Sequence, residues 1–270
     1  MEASTAHTRP IAMGNEVNVA MKVSNLSVAF GDTPVLQNLS LNFHKNKINC
    51  IIGPSGSGKS TLLRSLNRIN DHDPKIKITG GVHFNNKNIL NGMRDLTQLR
   101  RDIGMVFQSP CVFPKSILEN VLFGLQQHKK LSNSEKHSIA EEHLRAVSLW
   151  PEVTHRLNES GNSLSIGQQQ RLCIARTLAT APKILLMDEP TSSLDPVTTR
   201  AIENLMERLK EEYTIILVTH NIAQAKRISD HVFFMCNGQL VESGTKNEFF
   251  DNPTKPQTIS YLQDETCICR

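Results

Sequence analysis

Short, dense apolar runs alternate along this chain with longer stretches of helical spacing. Ile48-Asn49-Cys50-Ile51-Ile52, Ile184-Leu185-Leu186-Met187 and Thr214-Ile215-Ile216-Leu217-Val218-Thr219 carry the pattern of strands buried on both faces of a parallel sheet. Between them the apolar period lengthens. Ser60 to Leu66 and Ala223 to Ile228 read as helices, as does the stretch 116–150, where Ile117, Val121, Leu122, Ile139, Leu144, Val147 and Leu149 mark apolar faces between charged residues. Met21–Phe43 is strand-rich and broken by Gly31-Asp32-Thr33-Pro34; an irregular Gly80-Gly81 turn precedes the strand Val82-His83-Phe84. Residues 232–242 read as a hairpin around Asn237-Gly238, a two-residue turn signal. Strands followed by helices predict an α/β fold: a mixed, largely parallel sheet with flanking helices, an N-terminal antiparallel β subdomain, and a helical subdomain inserted at about 109–165. No internal repeat is visible, so the pattern describes a single unit.

Chemistry enters at the end of the first buried run. Gly53-Pro54-Ser55-Gly56-Ser57-Gly58-Lys59-Ser60, followed by Thr61, matches the whole phosphate-cradling P-loop pattern between a strand and a helix. Its glycines let backbone N–H groups turn inward around a polyphosphate; Lys59 would reach the β- and γ-phosphates and the Ser60 hydroxyl would ligate Mg²⁺. The run at 184–187 ends in Asp188-Glu189, two carboxylates delivered to the C-terminal edge of a parallel strand. Asp188 suits the Mg²⁺ shell, and Glu189 is placed to orient and deprotonate an attacking water. Phosphoryl transfer needs that combination, because it relies on positioning and charge neutralisation. His220 follows the run at 214–219 and falls on the same sheet edge.

Leu164-Ser165-Ile166-Gly167-Gln168-Gln169-Gln170-Arg171 resembles the signature motif of ATP-binding-cassette (ABC) ATPases. With Gln108 in Met105-Val106-Phe107-Gln108, Ser193-Leu194-Asp195 and His220, every cassette motif occurs in family order over roughly residues 21 to 265. The resemblance implies ATP and Mg²⁺ as ligands, Phe30 stacked on adenine, and Gln108 sensing the γ-phosphate and Mg²⁺. It further implies a second copy of the chain, whose Ser165, Gly167 and Gln168 would complete the site formed by the first copy's P-loop, Asp188, Glu189 and His220, with Asp195 at the seam. Ile166 departs from the family, which has glycine there; a β-branched residue restricts the backbone and adds bulk, so retained ATP binding with slowed hydrolysis is expected.

Finer features are similar to the ATPase subunits of bacterial phosphate importers. They are Leu66-Asn67-Arg68-Ile69-Asn70-Asp71, Phe113-Pro114 with Ser116-Ile117 and Glu119-Asn120-Val121, Leu149-Trp150-Pro151-Glu152-Val153, and the triple glutamine running into Arg171-Leu172-Cys173-Ile174-Ala175-Arg176. That likeness implies ATP-driven phosphate import from the cytoplasmic face of the inner membrane. The partners would be two membrane permease subunits, docked at Phe113, Pro114 and Ile117, and a periplasmic or extracellular phosphate-binding protein. An importer ATPase for phosphonate or an amino acid, and a non-transport ABC ATPase acting on ribosomes or DNA, are the competing readings. The signature segment argues against a P-loop kinase, and the lack of paired cassettes or long inserts argues against the non-transport class.

Composition bounds these expectations. The 270 residues, 39% of them hydrophobic, suffice for one sizeable α/β domain over 21–265. No run approaches the roughly 18–20 apolar residues of a membrane span, so the translocation pathway must belong to other chains. A net charge of +4, scattered along the sequence, argues against nucleic acid as a partner. Residues 1–20 read as a disordered extension without a signal-peptide core, with Met13 or Met21 as alternative starts, and 266–270 as a frayed tail carrying Cys267 and Cys269. Cys50 and Cys173 sit in apolar runs and read as small core residues of a reducing compartment.

Overall fold

In the computed structural model, which describes residues 18–91, 95–126 and 130–264, the buried runs pair with one another as a parallel sheet. The chain opens with β1 (Val19–Phe30), β2 (Thr33–His44), β3 (Ile48–Ile52), α1 (Lys59–Ser65), β4 (Ile76–Phe84), β5 (Lys87–Asn88), α2 (Leu96–Asp102) and β6 (Ile103–Val106). Three helices follow, α3 (Ile117–Gln126), α4 (Asn133–Ala146) and α5 (Trp150–Val153), and then α6 (Ile166–Leu178) and β7 (Ile184–Asp188). The chain continues through α7 (Pro196–Leu209), β8 (Thr214–Val218), α8 (Ile222–Ile228), β9 (His231–Cys236), β10 (Gln239–Thr245), α9 (Lys246–Asp251) and α10 (Pro256–Asp264).

One sheet has the order β10-β9-β3-β8-β7-β6, parallel throughout except for the β9–β10 hairpin; the other is antiparallel, in the order β2-β1-β4-β5. Every residue of β3, β7 and β8 is buried. Each large aliphatic side chain so placed contributes about 1.5–3 kcal/mol of burial energy. Asn49 is the polar exception in β3. Its amide oxygen accepts from the His44 backbone N–H at 2.8 Å and its amide nitrogen donates to the His44 carbonyl at 2.9 Å, fastening the end of β2 to the central strand. Phe43 and Phe233 join the two sheets edge to face, with ring centroids 5.3 Å apart.

Several expectations shift. Val19 and Ala20, assigned to the extension, already pair within β1; the rest of that extension, through residue 17, lies outside the described residues, as do the 266–270 tail and Cys267 and Cys269. Gly80-Gly81 is no turn between elements but a kink inside β4. There the β1 pairing skips from Ser24 to Ser27, and Gly80, at φ 92°, passes so close to Asn25 that a Cβ would stand 2.2 Å from its carbonyl oxygen. α6 packs its buried Leu172, Ala175 and Leu178 in the core that holds Val121 of α3, Leu144 of α4 and Leu185 of β7, joining the helical stretch to the sheet. Ile117 is fully buried in that core, so it has no surface to offer a docking partner; half-buried Phe113 and exposed Pro114 keep theirs. Cys50 and Cys173 are buried, as their apolar runs predict.

Candidate nucleotide site

Residues 53–58 leave β3 and wrap back into α1 on glycines whose places leave no room for a side chain at two points. Gly53, at φ 150°, lies against the backbone of β9, where a Cβ would come within 2.1 Å of the Met235 oxygen. Gly58 takes the left-handed conformation as N-cap of α1, and a Cβ there would press 2.5 Å from Leu36. Lys59 follows on the first turn, buried, with its ammonium donating to the carbonyls of Gly53 and Pro54 at 2.8 Å each. Burial pulls its pKa down, while the charges of Glu189 and Asp188 act to keep it protonated. The ammonium therefore sits on weak neutral acceptors that stronger anionic oxygens can replace.

Asp188 ends β7, 3% exposed, and its Oδ1 accepts from the Ser60 hydroxyl at 2.8 Å. Arg64, one turn along α1 from Ser60, lies 3.5 Å from its other oxygen. Glu189 comes next in a left-handed conformation (φ 46°), which costs a residue with a β-carbon about 1–2 kcal/mol. Its backbone N–H is tied to the Val218 carbonyl at 2.9 Å, so β8 holds that twist and turns the carboxylate out of the sheet edge. Glu189 Oε2 lies 2.9 Å from His220 Nδ1 and 3.4 Å from Gln108 Nε2, which also donates to the Ser192 hydroxyl at 3.2 Å. Ser55, Gly56, Gly58, Lys59, Ser60, Thr61 and Glu189 line one cleft of about 320 Å³, with Val35 of β2 as its apolar wall.

Thus the P-loop, Asp188, Glu189, Gln108 and His220, expected together from sequence, converge on one sheet edge. Phe30 ends β1 with its ring 38% exposed, paired through its backbone with Thr33 and Ile76. The signature residues do not join the cleft. Ser165 caps α6, its hydroxyl accepting from the Gln168 backbone N–H, while the Gln168 side chain accepts from the Ser165 N–H at 2.9 Å. Gly167 faces α7, where a Cβ would meet the Thr198 methyl at 2.6 Å. Ile166 points outward, 54% exposed, without disturbing that cap. Asp195 is the N-cap of α7, accepting from the Val197 and Thr198 amides at 3.0 Å; the Thr198 hydroxyl, with those amides, holds its carboxyl below the usual range.

Two participants escaped the sequence reading. Arg64 stands four residues after Ser60, so its place on the Ser60 face of α1 was legible, but its reach to Asp188 on β7 was not. Ser192 carries no signal of its own; only the turn after β7 brings it to Gln108.

The family described as "ABC transporter" matches residues 36–192. The chain is 48% identical to "Phosphate import ATP-binding protein PstB" of Thermotoga maritima over 242 residues, 90% of this chain and 96% of that protein. It is 46% identical to "Phosphate import ATP-binding protein PstB 1" of Streptococcus agalactiae, with the same shares covered. Among solved structures it resembles cbiO1 of Clostridium perfringens, described as part of an ABC transporter complex, with a TM-score of 0.76 and 31% identity over 87% of this chain and 92% of that one. It also resembles the dimeric ATP-binding cassette MJ0796 in a post-hydrolysis state bound to ADP and Pi, with a TM-score of 0.72 and 34% identity over 84% and 98% of the two chains.

Proposed function

The chain belongs to the ABC transporter ATP-binding family, and from that premise we propose that it hydrolyses ATP to drive phosphate import through a membrane complex. The observation that carries the catalytic half is the contact of His220 and Gln108 with Glu189, whose side chain lines the cleft that holds Lys59 and Ser60. Lys59 exchanges its two loop carbonyls for oxygens of the β- and γ-phosphates. Glu189 accepts a proton from the water that attacks the γ-phosphorus, and the bond to ADP breaks as the new P–O bond forms. His220 and Gln108 hold the Glu189 carboxylate over that water. A hydroxyl–carboxylate pair 2.8 Å apart, Ser60 with Asp188, offers the hard oxygen donors that Mg²⁺ takes alongside phosphate oxygens. When bound there, Mg²⁺ would neutralise charge on the β- and γ-phosphates.

The two-copy arrangement is supported by the separation of Ser165 from the P-loop in the fold. Among the described residues, the side-chain bonds of Ser165 and Gln168 stay within the helical lobe, and neither residue lines the cleft. A second copy, turned about, would bring its Ser165, Gly167 and Gln168 over the γ-phosphate, and ATP would be the link that closes the pair. No described helix is long and apolar enough to cross a membrane, and the membrane path is assigned to two permease subunits by likeness to the importer ATPases. Phe113, its ring tilted against Phe123 and beneath the Arg176 guanidinium, and the exposed Pro114 form the docking face on the lobe. The cargo follows from the phosphate importers to which the chain is nearly half identical.

Radiolabelled phosphate uptake in cells carrying the wild-type chain or Glu189→Gln tests the reading. The variant should bind ATP, lose at least about a hundredfold in hydrolysis and abolish labelled uptake, since one positioned base supplies about 10²–10⁴ in rate. Phosphate uptake insensitive to this substitution sinks the proposal; if the variant instead loses uptake of a labelled phosphonate or amino acid, that compound is the cargo.

A further inference from the structure

The signature turn is held by a side-chain relay from a neighbouring short helix. Glu152, on α5, places one carboxylate oxygen on each of two α6 residues. Oε2 accepts from Gln168 Nε2 at 2.7 Å, and Oε1 accepts from Arg171 Nη1 at 2.7 Å. Gln168 then spends its amide oxygen on the Ser165 backbone N–H, at 2.9 Å. The same Arg171 nitrogen donates to the Ser148 carbonyl at 2.8 Å, and Ser148 is itself fixed in a left-handed turn, φ 55°, between α4 and α5. Burial opposes ionisation of Glu152, yet the bonds from Arg171 and Gln168 outweigh it and hold the carboxyl below its usual range.

A glutamine side chain on an exposed helix end samples several rotamers unless something binds its far end. Here the far end is bound by a charge-assisted hydrogen bond, which is short and about twice as strong as a neutral one. Locking Gln168 locks the Ser165 amide. With its own oxygen already accepting from the Gln168 N–H, the Ser165 hydroxyl keeps its proton for an outside acceptor.

We infer that Glu152 is a positioning residue for the signature turn, one that presets Ser165 and Gln168 to receive the γ-phosphate carried by a second copy of the chain. The inference rests on the two-copy reading above. Glu152 touches neither nucleotide nor the reacting atoms; it acts through Gln168. It also makes α5 a mechanical link, because any tilt of α5 relative to α6 stretches the bonds that orient Ser165.

The test uses full-length protein: wild type, Glu152→Ala and Glu152→Gln, each also combined with Glu189→Gln. ADP affinity reads the P-loop alone, steady-state hydrolysis gives kcat and KM, and light scattering across an ATP titration reads closure of the Glu189→Gln pairs. For Glu152→Ala, which removes the bonds to both Gln168 and Arg171, we expect kcat to fall about tenfold, and the ATP needed for half-closure to rise about tenfold, as loss of the charge-assisted bond to Gln168 implies. ADP affinity should hold within about twofold, a split that general unfolding would not produce. Glu152→Gln keeps the shape and one acceptor, so it should fall between the two and serves if the alanine variant folds poorly. Unchanged kcat and closure in both variants overturns the inference alone. A Glu189→Gln parent that stays single at saturating ATP overturns the two-copy reading, and this inference with it.

Discussion

Lys59 and Ser60 open α1 behind a loop that leaves fully buried β3 and presses on the backbone of β9, whereas Ser165 and Gln168 stand on an exposed helix end steadied by one carboxylate of α5. Both regions carry hydroxyls and amides at the start of a helix. They differ in what fixes them. Around the P-loop it is backbone: glycines pressed on carbonyls, strands in register, a left-handed Glu189 tied to β8. In the lobe it is side-chain bonds in partial contact with water, from Gln168 and Arg171 to Glu152, which cost less to break than a backbone clamp. The contrast teaches that one face of the site is prebuilt, while the other is adjustable, as a part that must approach and withdraw would be.

The sharpest way to break this contrast is Gly53→Ala. A methyl 2.1 Å from the Met235 oxygen cannot be absorbed by rotating a side chain, so the loop or β9 must move. The expected cost is about 3 kcal/mol of stability, as for a severe overpacking, together with loss of nucleotide binding; thermal melts and ADP titration measure both. A Gly53→Ala protein that melts and binds like the parent would show the loop to be as compliant as the lobe.

Ile166→Gly probes the adjustable side and should be gentler. The side chain lies outward, so its removal leaves the core intact and costs the helix under about 1 kcal/mol. Turnover should rise by a factor of about three, since the bulk it removes stands where the second copy closes, while ADP affinity stays fixed. Equal turnover in the two proteins would mean that the turn already accommodates isoleucine.

Smallest is a control remote from either region. His231 at the start of β9 lies tilted against Phe233, 4.8 Å between ring centroids, and against His44 at 4.5 Å. Burial first, and then the charge of His44, bring its pKa down from 6.5 to about 4, against the pull of Glu248. Between those values the unfolded chain binds the proton and the folded chain does not, so this contribution is whole above 6.5 and is lost as pH falls toward 4. His231→Phe should flatten that acid loss in urea unfolding without changing ADP affinity near neutral pH. An unaltered acid limb would place the sensitivity elsewhere.

Much of the molecule was legible in advance, and for identifiable reasons. The runs ending in Gly53, in Asp188-Glu189 and before His220 are strands because nothing else buries four or five consecutive apolar residues between helices. A parallel sheet then brings their C-terminal ends to one edge without further instruction. The Asn237-Gly238 turn was equally plain, with both residues at positive φ. Less visible were features that depend on a neighbour distant in sequence. Gly80-Gly81 looks like a turn until β1 is laid beside it, and Ile117 looks like a surface residue until α4 and α6 close over it.

Sequence by itself therefore determined which elements form and that the P-loop, Asp188-Glu189 and His220 stand at their ends, since both follow from local patterns of burial, glycine and charge. Only the tertiary structure decided how the reactive groups are held: Glu189 twisted by Val218, Gln108 shared with Ser192, Ser165 steadied through Gln168 by Glu152. Those contacts join positions separated along the chain by loops and whole helices, and a hydrogen bond is set by distance in space, about which neighbouring letters say nothing.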